Sequence, residues 1–268
     1  MFMTLRAIYR NRTLILRLAR RETEARFRGS FLGILWVTIV PVTMLLIYSI
    51  VFGSILKSGW RGPQGDETSR FSFPMLLFIG LTLFGILSET INRSPSLILE
   101  NKSYVKKVSF PLEILPVVAL LSTLINAGIS FLIFMVFYVL LYGLPPHTIA
   151  YLPFVIFPFA ILCLGIAYFL ASLGVFLRDL KHITGPFTTA ILFLSPVFYS
   201  IQTLPEQYRY LMYLNPMTPV VNQARDVIFW GAPPAIVEWL VMFSASFLVY
   251  LLGSAWFSRT QKAFADVI

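Results

Sequence analysis

The sequence predicts an all-α membrane protein: six transmembrane helices, an N-terminal amphipathic interface helix, and short external re-entrant helices between spans five and six. Three observations predict it. Of 268 residues, 57% are apolar and 12% charged, about half the charged share of a soluble domain, and the mean hydropathy is +0.79. Uncharged runs of about 20 residues, the length that crosses a hydrocarbon layer, recur along the chain. The basic residues are distributed unevenly about those runs. The same composition excludes other classes. Cys163 is the only cysteine, so no disulfide scaffold forms within the chain. With 25 Phe, 12 Tyr and 5 Trp, it is too aromatic for a disordered polymer.

The elements follow in order. Residues 10–28 alternate apolar and basic side chains, with Leu14, Ile15 and Leu18 on one helical face and Arg17, Arg20 and Arg21 around the other. That pattern predicts a helix lying in the membrane interface. Spans are expected at about 31–56, 71–91, 117–142, 149–176, 183–201 and 236–258. The third and fourth divide an uncharged stretch of 64 residues, 114–177, at Gly143-Leu144-Pro145-Pro146-His147, a breaker cluster that reads as a tight turn. Between spans two and three, Ser94-Pro95 is a helix-start signal. A short helix over 94–104, parallel to the membrane, is expected to show Leu97, Ile98 and Tyr104 to a protein partner. Within 205–231, Leu204-Pro205 opens one short helix, Thr218-Pro219 caps a second, and Gly231 is placed to end it. Each is too short to span, so both are read as re-entrant, with a plain extramembrane loop as the alternative. The whole chain, 1–268, reads as one transmembrane domain.

With the N-terminus inside, the cytoplasmic segments hold 16 of the 21 Lys and Arg residues, and the external segments hold Lys57, Arg61, Arg70, Arg209 and Arg225. This predicts a multi-pass protein with both termini cytoplasmic. The formal charge of +9 is then a topology signal, not a nucleic-acid footprint. No secretory signal peptide is visible, because the first apolar run starts at residue 31 and is too long for a signal core.

Catalytic chemistry has few residues to carry it. The phosphate-loop pattern G-x-x-x-x-G-K-[ST] is missing, and His147 and His182 form no metal-spaced cluster. Glu89 is the one carboxylate inside an expected span, near its cytoplasmic end. It reads either as an interfacial structural group or as part of a transport path. Glu238 opens span six and reads the same way. Trp36, Tyr48, Phe84, Phe198 and Tyr199 are candidates to line a pathway, since aromatic faces stack on the C–H-rich faces of sugar rings.

Four stretches carry a family resemblance. The first is Arg26-Phe27-Arg28-Gly29-Ser30-Phe31-Leu32-Gly33-Ile34-Leu35-Trp36, with Pro41 after it. The second is Ser96-Leu97-Ile98, Asn101, and Lys106-Lys107-Val108-Ser109-Phe110-Pro111-Leu112-Glu113-Ile114-Leu115-Pro116. The third is Phe176-Leu177-Arg178-Asp179-Leu180 ahead of Leu194-Ser195-Pro196-Val197-Phe198-Tyr199. The fourth is Leu204-Pro205-Glu206, Tyr213-Leu214-Asn215-Pro216-Met217-Thr218-Pro219 and Arg225-Asp226. In this order and spacing, the chain resembles the ABC-2 type permease subunit of bacterial polysaccharide ABC exporters, the group that moves O-antigen, teichoic acid and capsule chains.

The resemblance implies a homodimer of six-span permeases in the bacterial cytoplasmic (inner) membrane, each paired with a copy of a separate ATP-binding subunit that holds ATP and Mg. The chain itself would be a non-catalytic transport subunit with no cofactor. The resemblance also makes 94–104 the coupling helix, with Ser94, Leu97, Ile98, Glu100, Asn101, Tyr104, Lys106 and Lys107 facing the ATPase. The substrate implied is a polysaccharide on undecaprenyl diphosphate, whose phosphates Arg17, Arg20, Arg21, Arg26 and Arg28 could meet. An exporter of a drug or small lipid, and a carrier that needs no ATPase, remain alternatives on sequence alone.

Overall fold

The computed structural model describes residues 9–25, 30–60, 72–105 and 110–268. Arg26, Arg28, Lys106 and Lys107 lie outside the described residues. Every regular element among the described residues is helical: α1 (Arg12–Ala25), α2 (Trp36–Tyr48), α3 (Ser72–Glu100), α4 (Lys102–Val105), α5 (Ile114–Tyr142), α6 (Leu152–Phe176), α7 (Leu180–Phe193), α8 (Glu206–Met212), α9 (Met217–Arg225), α10 (Ile236–Thr260) and α11 (Phe264–Val267). The helix α2 continues through a π-helical stretch, Ser49–Ile55, and α9 through another, Asp226–Trp230.

Five helices among the described residues are long and apolar enough to cross a membrane: Trp36–Ile55, Phe73–Glu100, Ile114–Tyr142, His147–Phe176 and Ile236–Val267. The stretch expected as the fifth span, 183–201, is built differently. Its helix, α7, has 14 residues, about 21 Å at 1.5 Å per residue, which is short of the roughly 30 Å hydrocarbon layer. At Leu194-Ser195-Pro196 the chain leaves the helix and reaches Ile201 as turns. Proline at 196 supplies no N–H, so the helix ends ahead of it.

The centre of the bundle is α3 and α6, packed on each other; α3 also meets α5 and α7, and α6 meets α10. Small residues set the closest crossings, as expected where helix association rests on backbone approach. A Cβ on Gly253 of α10 would lie 2.1 Å from the carbonyl oxygen of Gly165 on α6. A Cβ on Gly174 would lie 2.1 Å from the carbonyl oxygen of Pro95 on α3. The loop from α5 to α6 turns at Gly143, whose φ of +81° suits glycine.

The second contact overturns one expectation. Ser94-Pro95 does not start a helix: both residues lie inside the 29-residue α3, which runs unbroken to Glu100. Packing of Pro95 on Gly174 holds the helix through the proline. The Ser94 hydroxyl turns inward and donates to Thr90 O at 2.6 Å. Leu97 and Ile98, expected to face a partner, are instead buried in a core cluster with Leu115, Tyr168, Phe257 and Phe264.

Candidate functional site

Two regions at opposite ends of α3 gather the charged and polar groups. At the end that also carries α1 and α11, the apolar stripe of α1 is covered by protein: Ile15 and Ala19 pack on Ile114 and Val118 of α5. Thr23 and Ser122 share a hydrogen bond at 3.1 Å. Arg17, Arg20 and Arg21 point away and are exposed, with Arg20 paired to Glu24 at 3.0 Å. Glu22 reaches back to Arg93 on α3, and Arg93 lies 3.9 Å from Glu89. Glu89 is therefore one carboxylate of an ion-paired cluster at a helix end. Glu100 is exposed. Asn101 donates to Leu97 O at 2.8 Å, and Tyr104 stacks on Phe110 at 4.3 Å. A cleft of about 270 Å³ beside them is lined by Pro95, Ser96, Leu99, Glu100, Arg178 and Lys181.

At the other end, the short helices α8 and α9 close over the broken tail of α7. A helix end leaves carbonyls without intrahelical donors, and two side chains supply them. Asn215 donates to Leu194 O at 3.0 Å and to the Ser195 hydroxyl at 2.9 Å. Its own Oδ1 accepts from Met217 N at 2.9 Å. Asn215 is thus the residue that opens α9, where Thr218 was expected to; the Thr218 hydroxyl is drawn instead to Met212 O. Arg225, at the end of α9, is fully buried. Its guanidinium donates to Pro196 O at 2.7 Å, Val197 O at 2.9 Å, and Leu76 O at 3.1 and 3.3 Å. Leu76 belongs to α3, so Arg225 ties α9, the broken α7 tail and the central helix together. Its planar fork of donors reaches three carbonyls at once, which an ammonium does not. Gly80 leaves room for it, since a Cβ there would stand 3.0 Å from Nη2. The other side of the guanidinium lies 4.3 Å from the centre of the Trp60 ring, a cation–π contact. Gly231, with φ of +64°, ends the segment in the left-handed conformation, as expected.

Beside Arg225 lies a mostly polar cavity of about 310 Å³, bordered by Asn222, Asp226 and Trp230 of the α9 segment, by Tyr213, and by Glu238 of α10. Burial pushes the Asp226 carboxyl up to about 6; the Glu238 carboxylate adds to this and Arg225 opposes it. Burial also raises the Tyr213 hydroxyl, with Glu238 and Asp226 adding to the effect. A separate apolar groove of about 900 Å³ runs between α7 and α10, with Asn215 at one end.

The aromatics expected to line a path do not gather on one surface. Phe84 is buried in the main core. Trp36 is partly exposed and donates to the Ser30 hydroxyl at 2.7 Å. Tyr48 packs on Phe52. Phe198 stacks on Phe193, and Tyr199 donates to Phe193 O at 3.2 Å. Sequence reasoning missed the role of Arg225, which it placed among external charges. The available signal was one arginine within the otherwise uncharged run 210–225.

The family of this bundle of apolar helices, with its broken segment pinned beneath short helices, follows from comparison with known proteins. The chain is a member of the ABC-2 type transporter family, whose family model matches residues 13–229. Among characterised relatives, it is 27% identical to the O-antigen export system permease protein RfbA of Myxococcus xanthus over 100% of both chains. It is 20% identical to a protein of the same name from Klebsiella pneumoniae over 95% of both chains. It is 24% identical to the polysialic acid transport protein KpsM of Escherichia coli, over 91% of this chain and 92% of that one.

Proposed function

We propose that this chain is the membrane subunit of an ATP-driven exporter that moves lipid-linked polysaccharide, of O-antigen type, across the bacterial inner membrane. The observation that carries the reading is the end-to-end match with an O-antigen export permease. The subunit would work as a homodimer with two copies of an ATP-binding protein that holds ATP and Mg. The basic end would be cytoplasmic, as the distribution of Lys and Arg requires. The α7 helix and the turns to Ile201 would together complete a sixth crossing, with α8 and α9 as re-entrant pieces on the outer side.

In this reading, the ATP-binding subunit docks on Glu100, α4 and the neighbouring cleft, with Lys106 and Lys107 alongside. Leu97 and Ile98 transmit the contact from inside the core. The mechanism uses α3 as a rod. From Glu100 to Leu76 it spans about 36 Å at 1.5 Å per residue, without a break. A push at Glu100 is delivered through Leu76 to Arg225 and so to the re-entrant helices. The arginines of α1 meet the diphosphate of the carrier lipid, since guanidinium forks match phosphate oxygens.

The test is ATP hydrolysis by the purified chain, alone and with a co-purified ATP-binding subunit, with and without lipid-linked polysaccharide. Hydrolysis only in the complex, and stimulated by the polymer, is expected. Transport by the chain without any ATP-binding partner would overturn the reading.

A further inference from the structure

The polar cavity beside Arg225 lies where the proposed coupling path ends, and that path gives it no role of its own. Its bordering groups nonetheless form a chemically consistent set. Among the described residues, the two cations that border it are already engaged: Arg225 with three backbone carbonyls, and Arg209 with Leu204 O and Gln202 O. The carboxylates of Asp226 and Glu238 face the same space and raise the Tyr213 hydroxyl together. Among the described residues, the side chains of Asn222, Asp226 and Tyr213 make no hydrogen bond to another protein group. Trp230 and Tyr213 add ring faces at the rim.

We infer that this cavity is a binding subsite for a single neutral sugar ring of the translocated polymer, an inference that rests on the export reading above. Three physical points select that ligand. At about 310 Å³, the cavity sits at the small end of ligand sites, which start near roughly 300 Å³, so it fits one ring and not a chain. Two carboxylates and an amide accept from and donate to vicinal hydroxyls, and hydrogen bonds to a charged acceptor are the stronger kind. Among the described residues, the bordering cations already donate to backbone carbonyls, so the groups left to a ligand are mainly acceptors, which match hydroxyls better than a uronate or a phosphate. Its walls come from the re-entrant segment and the first turn of α10, at the opposite end from the basic helix α1. A ring therefore meets it after crossing.

The experiment is saturation-transfer NMR on the full-length chain in lipid nanodiscs, using neutral gluco-, manno- and galacto-configured disaccharides and a uronate disaccharide of equal size. Transfer to at least one neutral disaccharide and none to the uronate is expected. Asn222→Ala and Asp226→Ala are each expected to weaken that transfer about tenfold, or 1.4 kcal/mol, and Lys262→Gln, exposed at the far end, to leave it unchanged. Absence of transfer to all the neutral sugars, or equal transfer to the uronate, overturns the subsite whether or not the variants fold. Calcium binding that Asp226→Ala removes, without any sugar signal, also overturns it, in favour of a cation site. Polymer export, measured separately with the ATP-binding partner, keeps the two readings apart. Export without sugar binding removes the subsite alone, and sugar binding without export removes the exporter reading alone.

Discussion

The two ends of α3 share apolar packing and differ in what is added to it. At its Glu100 end, the hold is apolar and close: Leu97 and Ile98 lie in a core cluster, and Pro95 rests on Gly174 with no room for a Cβ. The charges there, Arg93 with Glu22 and Glu89, are partly exposed. At the Leu76 end, Met75, Leu76 and Leu77 are equally buried in the main core, and a single buried guanidinium on backbone carbonyls is added, with no carboxylate within salt-bridge distance of it among the described residues. An apolar contact is non-directional and tolerates small slides. A forked set of hydrogen bonds has one geometry. In the export reading proposed above, the end that receives a push would be held by packing alone, and the end that delivers it would carry a fixed linkage as well.

This contrast can be broken at four places, from the largest effect to the smallest. Gly174→Leu forces atoms into the Pro95 backbone and should cost about 3 kcal/mol or more, seen as loss of the monodisperse, folded species in detergent. Arg225→Met leaves three buried carbonyls short of donors and should lower stability by about 3 kcal/mol in thermal unfolding. Arg225→Lys should recover only part, because an ammonium cannot fork. Leu97→Ala should cost about 2–4 kcal/mol through the cavity it opens, measured in the same assay. Arg93→Ala should change stability by less than about 1 kcal/mol, as exposed ion pairs do; a larger loss would mean that end is also held electrostatically.

A fifth prediction sharpens the contrast through pH. The Asp226 carboxyl is raised from 3.8 to about 6, so the folded chain binds its proton more tightly than the unfolded one does. Its contribution favours folding at low pH and is lost as pH rises through about 6. The wild-type chain should therefore gain stability relative to Asp226→Asn between pH 7 and pH 5. No such gain would mean that Asp226 is not desolvated at this end.

The sequence made the crossing helices legible because uncharged length is a property of single segments. Gly143 and Gly231 were legible for a related reason: a turn needing positive φ announces itself in the residue that adopts it. What escaped depends on contacts between distant segments. Ser94-Pro95 carries a helix-start signal, and tertiary packing against Gly174, 79 residues away, overrode it. Thr218 looked like the cap of α9, yet the nearby Asn215 caps it while also serving Leu194. Arg225 counted as an external charge because its carbonyl partners, Leu76, Pro196 and Val197, are brought to it only by the fold. The resemblance did quote Leu194-Ser195-Pro196-Val197, Asn215 and Arg225. It could not say that these residues touch.

The most direct test of the linkage through α3 is to measure ATP hydrolysis and polymer export together in an Arg225→Lys complex, at a temperature where it and the wild type are both folded. The account predicts that hydrolysis continues while export falls at least about tenfold, because the push arrives at Leu76 and is not passed on. Export at the wild-type rate in that complex would contradict it.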